Sequence, residues 1–343
     1  MEFQFLIMKN YLFVICLIFF SCQEEITLDL PQADNKLVVE GAIEPGYPPY
    51  VILTKNQGYF DPIDSNTYTN LFVNNVDSIK VWYYSYAGEK IIKILEQITG
   101  FDSLPPIYTD LSYLSNTNNY EFSQEGRTYY LEIKWNNQII TAETTIPDAT
   151  PLDCLWVEKS ETANKVYKCD IRAVYSDPID IQNNILIRSK RLQHYEREDT
   201  LKCEIKDNPD LTLKLVDAGA DVLINGEKFE TYFPRPGDGG FPNGKYNSKH
   251  NKKCQNDSIL KFPEDIVLIK FCQIDEPSMR FWRGLVRQAG TNGNPFSEPM
   301  NLVSNINNGL GVWTGYGAMY YQVPIIKNIV ITDTISPKIT DIF

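Results

Sequence analysis

Residues 129–146 constrain the fold more than any other part of the chain. They read Tyr129-Tyr-Leu-Glu-Ile-Lys-Trp135, then Asn136-Asn137, then Gln138-Ile-Ile-Thr-Ala-Glu-Thr-Thr-Ile146. In the first arm Leu131, Ile133 and Trp135 recur at every second position, which places them on one face of a strand. The two asparagines between the arms tolerate the positive φ of a tight hairpin. A hairpin is not stable alone, and its apolar face must be covered by another layer.

Other segments extend the pattern. Lys36–Ile43 is β-branched and ends in the turn-rich Glu44-Pro-Gly-Tyr-Pro-Pro49. Tyr50–Thr54, Ser78–Tyr84 and Lys90–Leu95 follow as candidate strands with no helical periodicity between them. Strands at this spacing predict an antiparallel sandwich. Pro147-Asp-Ala-Thr-Pro151 stops the last of them, since proline cannot donate to a ladder. The expected boundaries are therefore a β-sandwich domain over 36–147 and a second β-rich domain over 148–343. In the second, Ile185–Ile187, Asp221–Ile224, Ile266–Ile274 and Ile325–Thr332 read as strands, Asn225-Gly226 as a turn, and 234–244 as a loop. One helix is expected, with Asp275 as N-cap, Pro277 in the first turn, Met279, Trp282, Leu285 and Val286 on one side, and Gly290 as its stop. The fold class predicted is all-β and mainly antiparallel. It comprises an immunoglobulin-like or carboxypeptidase-regulatory-like sandwich, then a second β-rich domain with one or two short helices.

Composition narrows the class. An apolar fraction of 43% supports a sizeable core, and 21 tyrosines suit strands better than long helices. A net charge of −12 argues against nucleic acid, whose phosphates need clustered Lys and Arg. At the N-terminus, Lys9 precedes the apolar run Tyr11–Phe20, then Ser21 and Cys22. This predicts a signal peptide over 1–21, starting at Met1 or Met8, and processing before Cys22. The thiol of Cys22 would carry lipid, with 22–35 as a tether. Several acyl chains make such an anchor stable. Phe19 and Phe20 depart from the tightest lipobox and resemble its relaxed form in Bacteroidota. Gln23-Glu24-Glu25 resembles the acidic signal that sends such lipoproteins to the outer face of the outer membrane. The expected localisation is therefore the outer membrane, lipid-anchored and facing the exterior.

No catalytic or metal constellation is recognisable. Beyond Cys22 the cysteines are Cys154, Cys169, Cys203, Cys254 and Cys272. They form no CxxC pair, and their disulfide pairing is open. The two histidines, His194 and His250, sit in polar, charged stretches and are expected at the surface. Neither belongs to HExxH, and no GxSxG elbow is present. Gly309-Leu-Gly-Val-Trp-Thr-Gly-Tyr-Gly317 lacks nucleotide-loop spacing, so its glycines read as tight turns or close sheet packing. Neither a cofactor nor a metal is expected.

Three segments carry a family resemblance. The first is Leu37-Val-Val-Glu-Gly41 with Val51-Ile-Leu-Thr54 and Tyr59-Phe60; the second is Tyr129–Ile133 running to Thr145-Ile-Pro147. The third is Asn294-Pro295-Phe296-Ser297-Glu298-Pro299, then Ser304-Asn305-Ile306 and Gly309-Leu-Gly311. With these landmarks the chain resembles the DUF4249 lipoproteins of Bacteroidota. The ending Val312-Trp313-Thr314-Gly315 is a modest departure. The resemblance implies a two-part β-rich lipoprotein that is an accessory of a TonB-dependent β-barrel transporter, acting as a non-enzymatic capture or scaffold subunit. It assigns no small-molecule or polymer ligand. Asn294–Pro299, Asn305, Gly309 and Gly311 are candidates for a structural or partner motif. Two alternatives stand beside this reading: a free-standing carbohydrate- or peptide-binding surface lipoprotein, and a hydrolase with an unrecognised site.

Overall fold

The computed structural model describes residues 35–342 apart from 59–63, 65–66, 99–104, 116–119, 160–168, 180, 221–224, 234–251, 262–264, 292–300 and 327. The protein is all-β, mainly antiparallel, with few short helices. β1 (Leu37–Ile43) pairs with β2 (Tyr50–Lys55) across the Glu44–Pro49 turn. Helix α1 (Thr67–Leu71) precedes the hairpin of β3 (Ser78–Tyr84) and β4 (Lys90–Ile94). Next come β5 (Glu96–Gln97), β6 (Ile107–Thr109) and α2 (Ser112–Ser115). β7 (Thr128–Trp135) and β8 (Gln138–Thr145) form the predicted hairpin, with Trp135 opposite Gln138. Asn136 and Asn137 have φ of 49° and 59°, the positive values a two-residue connection demands.

Two sheets face each other in this part. Leu37, Val39, Val51 and Leu53 of one pack on Val81, Leu131, Ile133 and Ile140 of the other, all of them buried. Each such side chain contributes about 1.5–3 kcal/mol by leaving water. The alternating burial of β7 follows directly from its alternating sequence.

A second sandwich begins with β9 (Cys154–Lys159), β10 (Cys169–Ser176) and β11 (Asn184–Gln193). A short hairpin of β12 (Tyr195–Asp199) and β13 (Glu204–Asp207) leads to β14 (Lys214–Ala220) and β15 (Lys228–Phe233). β16 (Lys252–Lys253) and β17 (Ile259–Leu260) form a small ladder ahead of β18 (Ile266–Gln273) and helix α3 (Glu276–Thr291). The chain ends with β19 (Ile306–Asn307), β20 (Leu310–Gly315), β21 (Gly317–Pro324), β22 (Val330–Ile331) and α4 (Ile339–Ile342). The sheets β15-β10-β9-β22 and β14-β11-β18-β21 enclose Leu155, Ile171, Phe233, Val267, Phe271 and Tyr321. A disulfide joins Cys203 to Cys254, while Cys154 and Cys272 are free thiols.

The first sandwich is completed from far along the chain. β20 lies parallel to β1, from Val38 opposite Leu310 to Ile43 opposite Gly315, and β19 pairs with β8. Trp313, fully buried, fills the space between the sheets and donates its indole N–H to the Tyr129 carbonyl at 3.2 Å.

Helix α3 starts as expected, with Ser278 N–H donating to Asp275 Oδ1 at 3.0 Å. Met279 and Trp282 are buried, and Leu285 and Val286 pack beside them against Leu186, Ala218 and Val312. Gly290 does not stop the helix, which continues to Thr291. Two further expectations are corrected. Among the described residues of Ile325–Thr332 only Val330–Ile331 is strand, and Gly317–Pro324 forms the long strand instead, along β18. His194 is buried, 1% exposed, with Nδ1 3.5 Å from Asp265 Oδ2; its polar neighbours in sequence conceal that inward position. The expected strand Asp221–Ile224, the loop 234–244 and His250 lie outside the described residues, as do Cys22, Gln23, Glu24, Glu25 and Asn294–Pro299. No helix among the described residues is long and apolar enough to cross a membrane.

Candidate functional site

The strand alternation that sends Leu37 and Val39 into the first core turns Val38 and Glu40 outward, together with Ile52 and Thr54 on β2. This outer face forms one wall of a groove of about 320 Å³. Phe281, Trp282 and Leu285 of α3, Leu215 of β14 and Arg188 of β11 form the other. The β11–β14 ladder shifts register between Ile187 and Arg188, and Arg188 then stands opposite Leu215. Such irregularities re-aim a side chain, and here the side chain is the groove's one arginine.

Arg188 is incompletely satisfied. Its guanidinium carbon lies 4.5 Å from the centre of the Trp282 ring, a cation–π contact. Trp282 is itself fixed by its indole N–H donating to Thr314 Oγ1 at 3.0 Å. The remaining contacts of Arg188 are long: Nη1–H to the Leu213 carbonyl and Nη2–H to the Tyr316 hydroxyl, both at 3.5 Å. Its Nε–H is buried and donates to no group among the described residues, and no described carboxylate reaches it within ion-pair distance. Burial pushes the phenols of Tyr316 and Tyr50 above their usual range, although Arg188 opposes this, so both are neutral. Burial also lifts the Cys272 thiol to about 12. None of these three neighbours supplies a negative charge; the Glu40 carboxylate in the same groove favours the charged guanidinium but stops short of ion-pair distance.

A second charged cluster lies at the end of β1 and is complete. Lys270 Nζ sits 2.5 Å from Glu44 Oε2, and the Tyr320 hydroxyl is 2.9 Å from both Glu44 oxygens. The ammonium also lies 4.1 Å from the centre of the Tyr316 ring. The adjoining cavity holds about 10 Å³, space for one water at most. This cluster ties β1 to β18 and β21 and has no room for a ligand.

The outer face of the β3–β7 pair carries an aromatic row. Trp82 stacks on Tyr130 at 5.7 Å, Tyr84 meets Tyr130 edge-on at 5.8 Å, and the Lys90 ammonium stands 3.7 Å over Trp82.

The described part of the third landmark builds structure. Asn305 Oδ1 accepts from Trp313 N–H at 2.9 Å and its Nδ2 donates to the Trp313 carbonyl at 2.8 Å, so one side chain imitates a neighbouring strand. Gly309 packs against Ile306, Ile140 and the Leu37 carbonyl, where a Cβ would be crowded. Gly311, at φ +102°, would place a Cβ 2.0 Å from the Val39 carbonyl oxygen. Gly41, in the first landmark, leaves room for the Trp313 ring, whose Cε3 would be 2.7 Å from a Cβ there. The landmarks thus meet around Trp313. Of the described residues of the third landmark only Gly311 touches the groove, whereas Val38, Val39, Glu40, Ile52 and Thr54 of the first landmark line it. Arg188 was not singled out from sequence, and Glu40 entered only as part of the first landmark. The one available signal was an arginine inside the strand Ile185-Leu-Ile-Arg188.

The chain is thus an all-β protein of two sandwiches, the first closed by a strand from near the C-terminus, with an open groove beside α3. The class this defines is a β-rich protein with an open concavity outside its sandwich cores. The chain belongs to the family described as "Domain of unknown function (DUF4249)", whose model matches residues 23–321. That match spans the first sandwich, most of the second and all the described groove-lining residues. No curated protein matches the chain.

Proposed function

We propose that this chain is a non-enzymatic outer-membrane lipoprotein, anchored through Cys22, that captures a ligand at the cell surface as an accessory subunit of a TonB-dependent transporter. The observation that carries the capture role is the groove between Glu40 and Trp282. It is open, about 320 Å³ in volume, walled by apolar and aromatic side chains, and equipped with one guanidinium. Apolar walls with few polar groups are the usual make-up of a small-ligand site. The anchor and the exterior location are supported by the signal-like residues 1–21, Cys22 and Gln23-Glu24-Glu25, and the transporter by the family resemblance.

The test uses intact cells producing the full chain with a C-terminal tag. Added protease is expected to digest the chain, Cys22→Ala is expected to release it from the membrane, and gentle extraction is expected to bring down a large β-barrel protein. Repeated recovery of the chain alone would reject the accessory role. Protection from protease would reject the exterior location.

The aromatic row Trp82–Tyr130–Tyr84 favours a second reading, a free-standing surface protein that binds carbohydrate or peptide, since flat rings stack on sugars. Binding on a glycan array that is lost in Trp82→Ala would distinguish it.

A further inference from the structure

We infer that the groove takes the carboxylate of a ligand with an apolar body, with Arg188 binding the carboxylate and Phe281, Trp282 and Leu285 lying against the body. This rests on reading the groove as the capture site and names the class of ligand.

The argument starts from charge. A buried cation is costly unless an anion and good hydrogen bonds compensate it. Three buried charges elsewhere in the protein are compensated in this way. Lys270 has Glu44, Asp210 has Arg191 at 2.7 Å, and Asp110 has Lys93 at 2.8 Å. Arg188 differs: two of its bonds are at the 3.5 Å limit, its buried Nε–H has no acceptor among the described residues, Tyr50 and Tyr316 beside it are neutral phenols, and Glu40, the carboxylate that acts on it, lies beyond ion-pair distance. Both long bonds are weak enough to yield to charge-assisted ones, which form at about 2.7–2.9 Å. An anion entering the groove supplies what the fold leaves out.

The walls define the anion. A guanidinium fork matches a planar carboxylate in two parallel bonds. Glu40 lines the same groove and repels an entering anion in proportion to its charge, which favours a singly charged carboxylate over a doubly charged phosphate. Arg188 is the only cationic side chain among the described residues lining it, where a phosphate would call for several donors. Ile52, Leu215 and Leu285 offer no hydrogen bonds to a polyhydroxy ligand but, with Phe281, suit an alkyl or aryl group. Trp282 serves twice, with its face on Arg188 and its indole N–H bound to Thr314.

The experiment titrates the full chain, purified in mild detergent, with N-acetyl-L-phenylalanine, 3-phenylpropanoate and hexanoate, following heat and tryptophan emission. N-acetyl-L-phenylalanine amide is the neutral control, and phenyl phosphate is the competing anion. The carboxylates are expected to bind, and the amide to bind at least about tenfold more weakly. Arg188→Gln is expected to weaken the carboxylates by a similar factor and leave the amide unchanged. Leu285→Trp, which fills the groove from the half-buried side of α3, is expected to abolish binding with the melting temperature preserved. If Arg188→Gln does not fold, the amide comparison and Leu285→Trp decide the question. Equal binding of amide and carboxylate, tighter binding of phenyl phosphate, or no carboxylate binding by the wild type overturns the inference. Such a failure with transporter co-purification intact removes only the ligand class. Carboxylate binding without co-purification removes only the accessory role.

Discussion

Gly311 shows how little freedom single positions have in this fold. Its φ of +102° and its closeness to the Val39 carbonyl leave no space for a methyl group. Gly311→Ala is expected to destabilise the protein by about 3 kcal/mol or more, read as a lowered midpoint in urea. The sequence marked this glycine as a tight turn or a site of close sheet packing, but not what it packs against. Charged residues were harder to read. Lys270 lies in Ile266–Ile274, where an isolated lysine in an apolar strand predicts nothing about Glu44 far upstream. Lys270→Met leaves Glu44 buried without its partner and is expected to cost about 3–5 kcal/mol. Asp210 gives a pH-dependent case. Burial would raise its pKa, but hydrogen bonds from the Arg191 side chain and backbone and from Lys214 outweigh it and hold the carboxyl well below its usual range. A folded pKa below the unfolded one contributes stability that is present above about pH 4 and is lost as pH falls further. Asp210→Asn is therefore expected to be less stable than wild type at neutral pH, with the gap closing as thermal melts are taken from about pH 6 towards pH 3.

At the scale of elements, legibility follows the distance along the chain over which each element is decided. The β7–β8 hairpin was readable because strand alternation and the Asn136-Asn137 turn lie within one short segment. Helix α3 was readable from its cap and apolar stripe for the same reason. β20 was not, because the residues that make it a strand are those of β1, at the other end of the described chain. The same holds for the groove, whose walls come from β1, β2, β11, β14, α3 and β20. Asp275 joins the two kinds of information. Its Oδ1 caps α3, while Oδ2 accepts from Thr144 Oγ1 at 2.6 Å and from Thr145 N–H at 3.1 Å on β8. Thr144 Oγ1 in turn accepts from Gly315 N–H at 2.8 Å. A cap alone is worth about 0.5–2 kcal/mol. Asp275→Ala is expected to exceed that, because buried donors on β8 lose their acceptor as well. A double-mutant cycle with Thr144→Val should return a coupling of about 0.5–3 kcal/mol, and additivity would show that the helix start and β8 are independent.

For the whole molecule, the decisive fact is that the sandwich begun by residues 37–145 is finished by β19 and β20. A fragment of residues 35–147 keeps both halves of the hydrophobic interface but lacks Trp313, and it leaves one edge of β1 unpaired. It is expected to show poor amide dispersion by NMR and no cooperative melt, in contrast to the full chain. A sharp melt from the fragment alone would show that β20 is an addition to a self-sufficient unit. The sequence could indicate the layers, because alternation is local, but not this closure, because nothing in Leu310–Gly315 names its partner. There is a consequence for synthesis. A ribosome delivers β1 through β8 well before it reaches Leu310, so the earliest part of the chain must wait for nearly the latest. Premature termination anywhere in that interval yields no shortened protein with one sound half, because the half made first is the one still missing its keystone.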